Sequence, residues 1–165
     1  MYSTINDFIS DWAQESSATS KLFQLISNDS LKQKVYSEGR TLGTIVWHIV
    51  YTVGEMMSAA GIQLPDFDLQ EKMPSDINTM IDKYYKYSNS LIEAIKNFDD
   101  SKLNEEYNIY GENWKFRDLL KGLVYHQIHH RGQLTVLMRQ AGLPVIGIYG
   151  PSKEEWKQFG MEAPE

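Results

Sequence analysis

Apolar residues recur at helical spacing in four long stretches of this 165-residue chain, and this pattern constrains its fold more than any other feature. The stretches cover residues 5–26, 41–60, 75–98 and 115–140. Apolar side chains three or four positions apart lie on one face of an α-helix, where they can be buried together. The pattern therefore predicts four amphipathic helices.

The ends of these helices carry their own signals. Thr41 is a good N-cap for the second helix, and Ser75-Asp76 opens the third. Gly61 and Gly142 follow the second and fourth helices, where glycine commonly ends a helix.

The remaining segments show no convincing alternating pattern of strands. Residues 62–74 contain two prolines and are predicted to form a long crossover loop, and residues 152–158 a short helix. Residues 103–111 are predicted to be a loop, and the alternative is a short extended piece at 106–110 that turns at 111–113. One longer connection among four helices is typical of a bundle that is not simply up-down-up-down. We predict an all-α four-helix bundle with a short C-terminal helical tail, in a single domain spanning residues 1–165.

Composition excludes several classes of function. The chain has no cysteine, so neither disulfides nor thiolate metal ligands are available. Its net charge is −6 and its basic residues do not cluster, which argues against nucleic acid or an anionic membrane as a partner. No apolar run approaches the roughly 18 residues of a membrane span, and the N-terminus does not resemble a signal peptide. We expect a cytoplasmic protein.

The strongest functional signal is the run 126–130, which contains three of the four histidines. His126 and His130 are four residues apart, so their side chains lie one above the other on a helix and can reach one cation. Relative to the centre of the apolar stripe, His130 lies about 40° away, His126 about 80° and His129 about 140°. We therefore predict that His126 and His130 face the bundle interior or its edge and that His129 faces solvent or a partner.

His48, on the second helix, is the remaining histidine and the only candidate for a third imidazole ligand. It lies about 120° from the centre of its own apolar stripe, beside Thr44, Thr52 and Glu55. One interpretation is a surface histidine on a polar flank; the other is a ligand facing a polar cavity between helices. Periodicity leaves both open.

Three nearby side chains are weaker candidates for supporting roles. Glu55 and Gln133 could orient a ligand or act near a metal, although ordinary polar roles are more common. Arg131 could bind an anionic substrate group or pair with a carboxylate in the bundle. Gly132, in the middle of a helix, suggests close approach of another helix or chain.

The sequence resembles the DinB/YfiT family of metal-dependent enzymes over nearly its whole length. The resemblance rests on residues 43–49 and 126–134, followed by Leu143-Pro144 and residues 149–152. It implies an up-down-down-up bundle, a divalent metal held by His48, His126 and His130, and frequently a homodimer. Related members include thiol-dependent transferases that use bacillithiol or mycothiol, and a maleylpyruvate isomerase.

Two classes of function follow as hypotheses. Three imidazoles and no fourth protein ligand are typical of an open, catalytic metal site, which favours a metal-dependent thiol S-transferase or hydrolase acting on a small electrophile. Zinc or nickel is expected first, with iron, manganese or copper as alternatives, and a low-molecular-weight thiol as cosubstrate. The alternative is a non-enzymatic metal-binding or stress-response dimer.

Overall fold

Four helices dominate the computed structural model, which describes residues 2–164. They are α1 (Ile5–Phe23), α2 (Leu42–Ala59), α3 (Ile77–Ile95) and α4 (Phe116–Gln140). Short 3₁₀ turns lie at Asn28–Lys32, Asp100–Asn104 and Trp156–Phe159. The last of these replaces the helix predicted at 152–158. No helix in the described part of the chain has the length and apolar character needed to cross a bilayer.

The predicted helix boundaries are confirmed where side chains cap them. Thr41 accepts a hydrogen bond from the Thr44 backbone N–H (3.0 Å), and Asp76 accepts one from Thr79 (2.9 Å). Gly61 and Gly142 both have positive φ, as glycines that end helices commonly do. The prediction that the first helix reaches residue 26 is wrong, because Leu25 and Ile26 already bond to carbonyls three residues back.

Helix packing confirms the four-helix bundle. α2 contacts α3 and α4, and α1 also contacts α3 and α4. The helices therefore lie around the bundle in the order α1, α3, α2, α4. The neighbours α2 and α3 are joined by the long crossover 60–76, as expected for up-down-down-up topology. Buried apolar residues of all four helices form one cluster, whose largest members are Trp12, Tyr84, Tyr87, Phe8, Phe23 and Phe116.

The crossover is fixed on α2 by a close contact at a glycine. A Cβ built on Gly54 would lie 2.3 Å from the ring of Phe67. Only glycine therefore allows this ring to pack on the helix at the observed distance. The contact holds the crossover beside the helix that carries His48.

The loop predicted at 103–111 is wrong and the alternative of a short extended piece is right, because the chain forms an antiparallel hairpin before α4. Its strands are β1 (Glu106–Ile109) and β2 (Glu112–Lys115), with Tyr107 opposite Trp114. The two turn residues, Tyr110 and Gly111, both have positive φ, as a type I′ turn requires. Tyrosine is an unusual residue at the first of these positions, and each strand has only four residues, so the local signal was weak.

Candidate metal centre

Three histidines converge where α2 packs against α4. His48 comes from α2. His126 and His130 lie on consecutive turns of α4, on the same face of the helix. One ring nitrogen of each histidine lies within 4.8 Å of the corresponding atoms of the other two. The packing of α2 and α4 thus brings together the three histidines that the sequence singled out, and the ring of His48 contacts the rings of the other two.

The rings are close enough to share one cation. The Nε2 atoms of His48 and His126 are 3.0 Å apart. The centroid of the His130 ring lies 4.5 Å from that of His48 and 4.3 Å from that of His126. Two nitrogens bound to one tetrahedral zinc ion are separated by about 3.3 Å. The observed spacing therefore fits a shared divalent ion after small side-chain adjustments.

Hydrogen bonds to the opposite ring nitrogens orient both histidines of α4. Nδ1 of His130 lies 2.9 Å from Oε1 of Gln133, an oxygen that can only accept a hydrogen bond. Nδ1 of His126 lies 3.4 Å from the hydroxyl of Thr52, which donates its own proton to the His48 carbonyl (2.8 Å). Both Nδ1 atoms therefore carry the proton, which leaves each Nε2 with the lone pair that a metal requires.

Burial and mutual proximity keep the histidines neutral. Burial, followed by the charge of His130, lowers the pKa of His48 to about 4. Burial, followed by the charges of His130 and His48, lowers the pKa of His126 to about 3. Burial also lowers the pKa of His130, against an opposing effect of its hydrogen bond to Gln133. Neutral imidazole is the form that binds metals.

His129 lies outside this cluster, on the exposed face of α4. Its Nε2 is 3.0 Å from the amide nitrogen of Gln133. Gln133 therefore bridges the exposed histidine and the inward-facing His130, with its oxygen on the ring that belongs to the cluster.

The two other candidate supporting residues have partners elsewhere. Of the two alternatives for Arg131, the structure shows pairing: its buried guanidinium forms an ion pair with Glu15 and donates a 2.8 Å hydrogen bond to the Glu15 carbonyl. Glu55 accepts a hydrogen bond from Tyr110 of the hairpin turn (3.0 Å). Neither contact involves the three histidines.

Gly132 is not explained by helix packing within the chain. No heavy atom of the described structure lies within 4 Å of a Cβ built at this position. The suggestion that another helix of the same bundle approaches here is therefore wrong.

A cavity of about 270 Å³ opens beside His48 and contains residues that sequence reasoning missed. Its polar walls are Arg40, Thr44 and Glu71, and its aromatic walls are Trp47 and Tyr51. Arg40 directly precedes Thr41, the N-cap of α2, and this position was only a weak indication that Arg40 lies near His48. Glu71 offered none, because the crossover brings it to the cavity from a distant part of the sequence.

Buried Gln127 is a further residue that the sequence did not single out. Its amide nitrogen donates to the Ile49 carbonyl (3.1 Å), and its oxygen accepts from the Tyr84 hydroxyl (3.0 Å). These bonds tie α4 to α2 and α3 next to His126, so they help to set the position of the cluster.

Sequence comparisons place this architecture among known proteins. The model of the DinB family matches residues 1–164. A Bacillus subtilis protein, YrdA, is 43% identical over 168 aligned residues, which cover 100% of this chain and 99% of YrdA. A second B. subtilis protein, YjoA, is 24% identical over 149 residues, which cover 87% of this chain and 95% of YjoA.

Solved structures share the fold. The crystal structure of a DinB-like protein from Bacillus cereus ATCC 10987 matches with a TM-score of 0.85 at 35% identity, covering 90% of this chain and 100% of that one. The crystal structure of B. subtilis YjoA, a DinB-like protein, matches with a TM-score of 0.70 at 22% identity, covering 88% of this chain and 99% of YjoA. At that identity the second match concerns the fold alone.

Proposed function

This chain belongs to the DinB family, and from that premise we propose that it is a metal-dependent enzyme whose divalent ion is held by His48, His126 and His130. The observation that carries the proposal is the convergence of one nitrogen from each ring. Hydrogen bonds that Thr52 and Gln133 accept from Nδ1 of His126 and His130 support it, because they turn the Nε2 lone pairs of these rings toward a common point.

The donor set favours an open site. Within the described residues the group contains three histidines and no fourth histidine or carboxylate. Structural zinc sites usually have four protein ligands, whereas catalytic sites leave a coordination position for water or substrate. Zinc and nickel are the ions we propose first. Imidazole ligands also suit iron and copper, and manganese, which prefers oxygen ligands, is the last alternative.

The proposed reaction is thiol S-transfer or hydrolysis on a small electrophile. A divalent ion supplies the chemistry common to both, because it lowers the pKa of a coordinated thiol or water. The chain has no cysteine, so a thiol nucleophile would come from a low-molecular-weight cosubstrate such as bacillithiol. The three neutral imidazoles would hold the ion, and Trp47 and Tyr51 line the cavity beside it.

Metal analysis tests the first step of this proposal. Protein purified without chelator or affinity tag is analysed by mass spectrometry beside His48→Ala, His126→Ala and His130→Ala. We expect about one divalent ion per chain in the parent protein and a sharp loss in each variant. His129→Ala is the matched control, and we expect it to keep its metal because His129 is exposed and lies outside the cluster. Equal loss in His129→Ala, or no metal after reconstitution, would contradict the proposal.

An activity screen tests the second step. Metal-loaded protein is incubated with a panel of small electrophiles, with and without bacillithiol, and products are identified by mass spectrometry. Thiol adducts would identify a transferase, and hydrolysis products without thiol would identify a hydrolase. Turnover that persists in His126→Ala would show that the histidine site is not responsible for it.

A further inference from the structure

Arg40 is a cation without a partner at the edge of the histidine cluster. It forms no hydrogen bond or ion pair with any residue between 2 and 164. Arg131 and Arg139, in contrast, are each paired with a glutamate. The chain has 22 acidic and 16 basic residues, so carboxylates are numerous enough for every arginine to have a partner. An arginine left unpaired beside a candidate metal site can bind an anion from solution.

Arg40 lies between two cavities that flank the histidines. It lines the cavity of about 270 Å³ that contains His48. It also lines a larger groove of about 440 Å³ that contains Gln133, the residue bonded to His130. Its charge is near enough to contribute to the lowered pKa of His48, His126 and His130. A ligand held by Arg40 would therefore have access to both cavities.

The larger groove is mainly apolar. Apart from Arg40 and Gln133, its side chains are Val35, Tyr36, Ile45, Val136 and Leu137. Val35, Tyr36 and Val136 are 55%, 64% and 49% exposed, so three large apolar groups surround one cation at the surface. Its volume lies in the range typical of small-molecule sites.

The segment that carries Arg40 is held in place by the protein itself. The Leu42 backbone N–H bonds to the Gln33 carbonyl (2.8 Å), and Gly39 bonds to Tyr36 (3.0 Å). Glu71, the carboxylate in the smaller cavity, does not neutralise Arg40. It is paired with Lys83 and accepts a hydrogen bond from Tyr87 (2.7 Å). The backbone position and the charge of Arg40 are thus maintained without a ligand.

We propose that Arg40 is a specificity-determining residue, which binds the carboxylate of a small substrate whose apolar body lies in the 440 Å³ groove. The planar guanidinium presents two parallel donors that match a carboxylate. The groove offers aliphatic and aromatic contacts to an uncharged body. This inference rests on the proposed function in assigning the reacting end of the substrate to the histidine cluster, whereas the contact between Arg40 and the carboxylate needs no metal.

Calorimetric titration of zinc-loaded and metal-free protein tests the inference. The probes are phenylacetate, its uncharged amide phenylacetamide, acetate and inorganic phosphate. We expect phenylacetate to bind more tightly than the other three. Arg40→Gln should weaken its binding by roughly tenfold or more, down to the level of the amide. Arg40→Lys should retain part of the affinity, because it keeps the charge and loses the paired donors.

Two further variants separate charge from apolar contact. Lys32→Gln removes an exposed positive charge that lines neither cavity, and should bind phenylacetate as the parent protein does. Val136→Ser, which removes apolar surface without adding a charge, should weaken binding of phenylacetate and leave acetate unaffected. Val136 is half exposed, so the substitution should not disturb folding.

The outcomes distinguish this inference from the proposed function. Absence of phenylacetate binding, equal binding by parent protein and Arg40→Gln, or tighter binding of phosphate would each overturn the carboxylate assignment. Metal content, measured on the same samples, should be the same in parent protein and Arg40→Gln. A parent protein without metal would overturn the metal-dependent function, while the effect of Arg40→Gln on phenylacetate would still decide the role of Arg40.

Discussion

In α4, the Nδ1 atom of His130 lies 2.9 Å from the side-chain oxygen of Gln133, one turn further along the helix. This contact fixes the ring proton of His130 on Nδ1 and points Nε2 toward His48 and His126. The inward orientation of a proposed metal ligand thus depends on a polar side chain that is itself exposed.

Replacing Gln133 should weaken metal binding without abolishing it. Removal of a hydrogen-bond partner of a metal-binding histidine typically lowers affinity by about 10- to 100-fold. We therefore expect Gln133→Leu to bind one zinc ion per chain with a dissociation constant raised by about that factor, measured by competition with a chromophoric chelator. His129→Ala, which removes the other partner of Gln133, should leave the constant unchanged. Unaltered affinity in Gln133→Leu would show that the contact does not orient the ligand.

The buried ion pair between Arg131 and Glu15 should be sensitive to loss of one partner. Arg131→Met leaves the Glu15 carboxylate buried without its cation, which typically costs about 3–5 kcal/mol. Urea unfolding followed by circular dichroism measures this change. Arg139→Met is the matched control, because the pair of Arg139 with Glu154 is exposed and should contribute less than about 1 kcal/mol. An equal loss of unfolding free energy in the two variants would contradict the conclusion that burial makes the pair of Arg131 and Glu15 more important for stability.

Gly54→Ala should displace the crossover from α2. The new methyl group would overlap the ring of Phe67, and overpacking of this kind typically costs about 1–3 kcal/mol. We expect a lower free energy of unfolding and faster proteolysis within residues 62–74. The double variant Gly54→Ala/Phe67→Ala should recover normal protease resistance if the clash is the cause. Unchanged resistance in the single variant would show that the ring adapts without cost.

Gly132→Ala should stabilise the protein. The position is exposed in the middle of α4, nothing lies near the added methyl group, and alanine favours a helix over glycine by about 1 kcal/mol. Gly61→Ala is the contrasting variant and should destabilise the protein, because Gly61 has a positive φ.

Homodimer formation, which the family resemblance implies, stays a prediction. Gly132→Ala tests whether such a dimer packs at the exposed face of α4 around Gly132. Light scattering on Gly132→Ala should give the mass of the parent protein if no second chain packs at this face. A loss of dimer mass would show that a second chain approaches the helix at Gly132.

The part of the site on α4 could be predicted from local sequence alone. His126 and His130 share a face because they are four residues apart, and His129 is turned away by the same geometry. The position of His48 could not be predicted, because its place on the polar flank of α2 fits both a surface residue and a ligand. Packing of α2 against α4 decides between them, and periodicity within one helix contains no information about that packing.

The same division between local sequence and tertiary packing applies to the fold. Four helices, their caps and their glycine ends follow from periodicity and local hydrogen bonding, which depend on neighbouring residues. The segment 106–115 was predicted to be a loop because its strands are short, and an isolated two-stranded hairpin is at best marginally stable. Here β1 contacts α2 and β2 contacts α4, which the local sequence does not show.

The sequence by itself determined the all-α bundle, the inward face of α4 and the residue types able to bind a divalent ion, because each depends on spacing within a single segment. Only the tertiary structure decided that His48 joins the pair, that Arg131 is paired with Glu15, and that Arg40 and Glu71 border the cavity. These relationships join residues far apart in the chain, and the packing of helices and crossover brings them together.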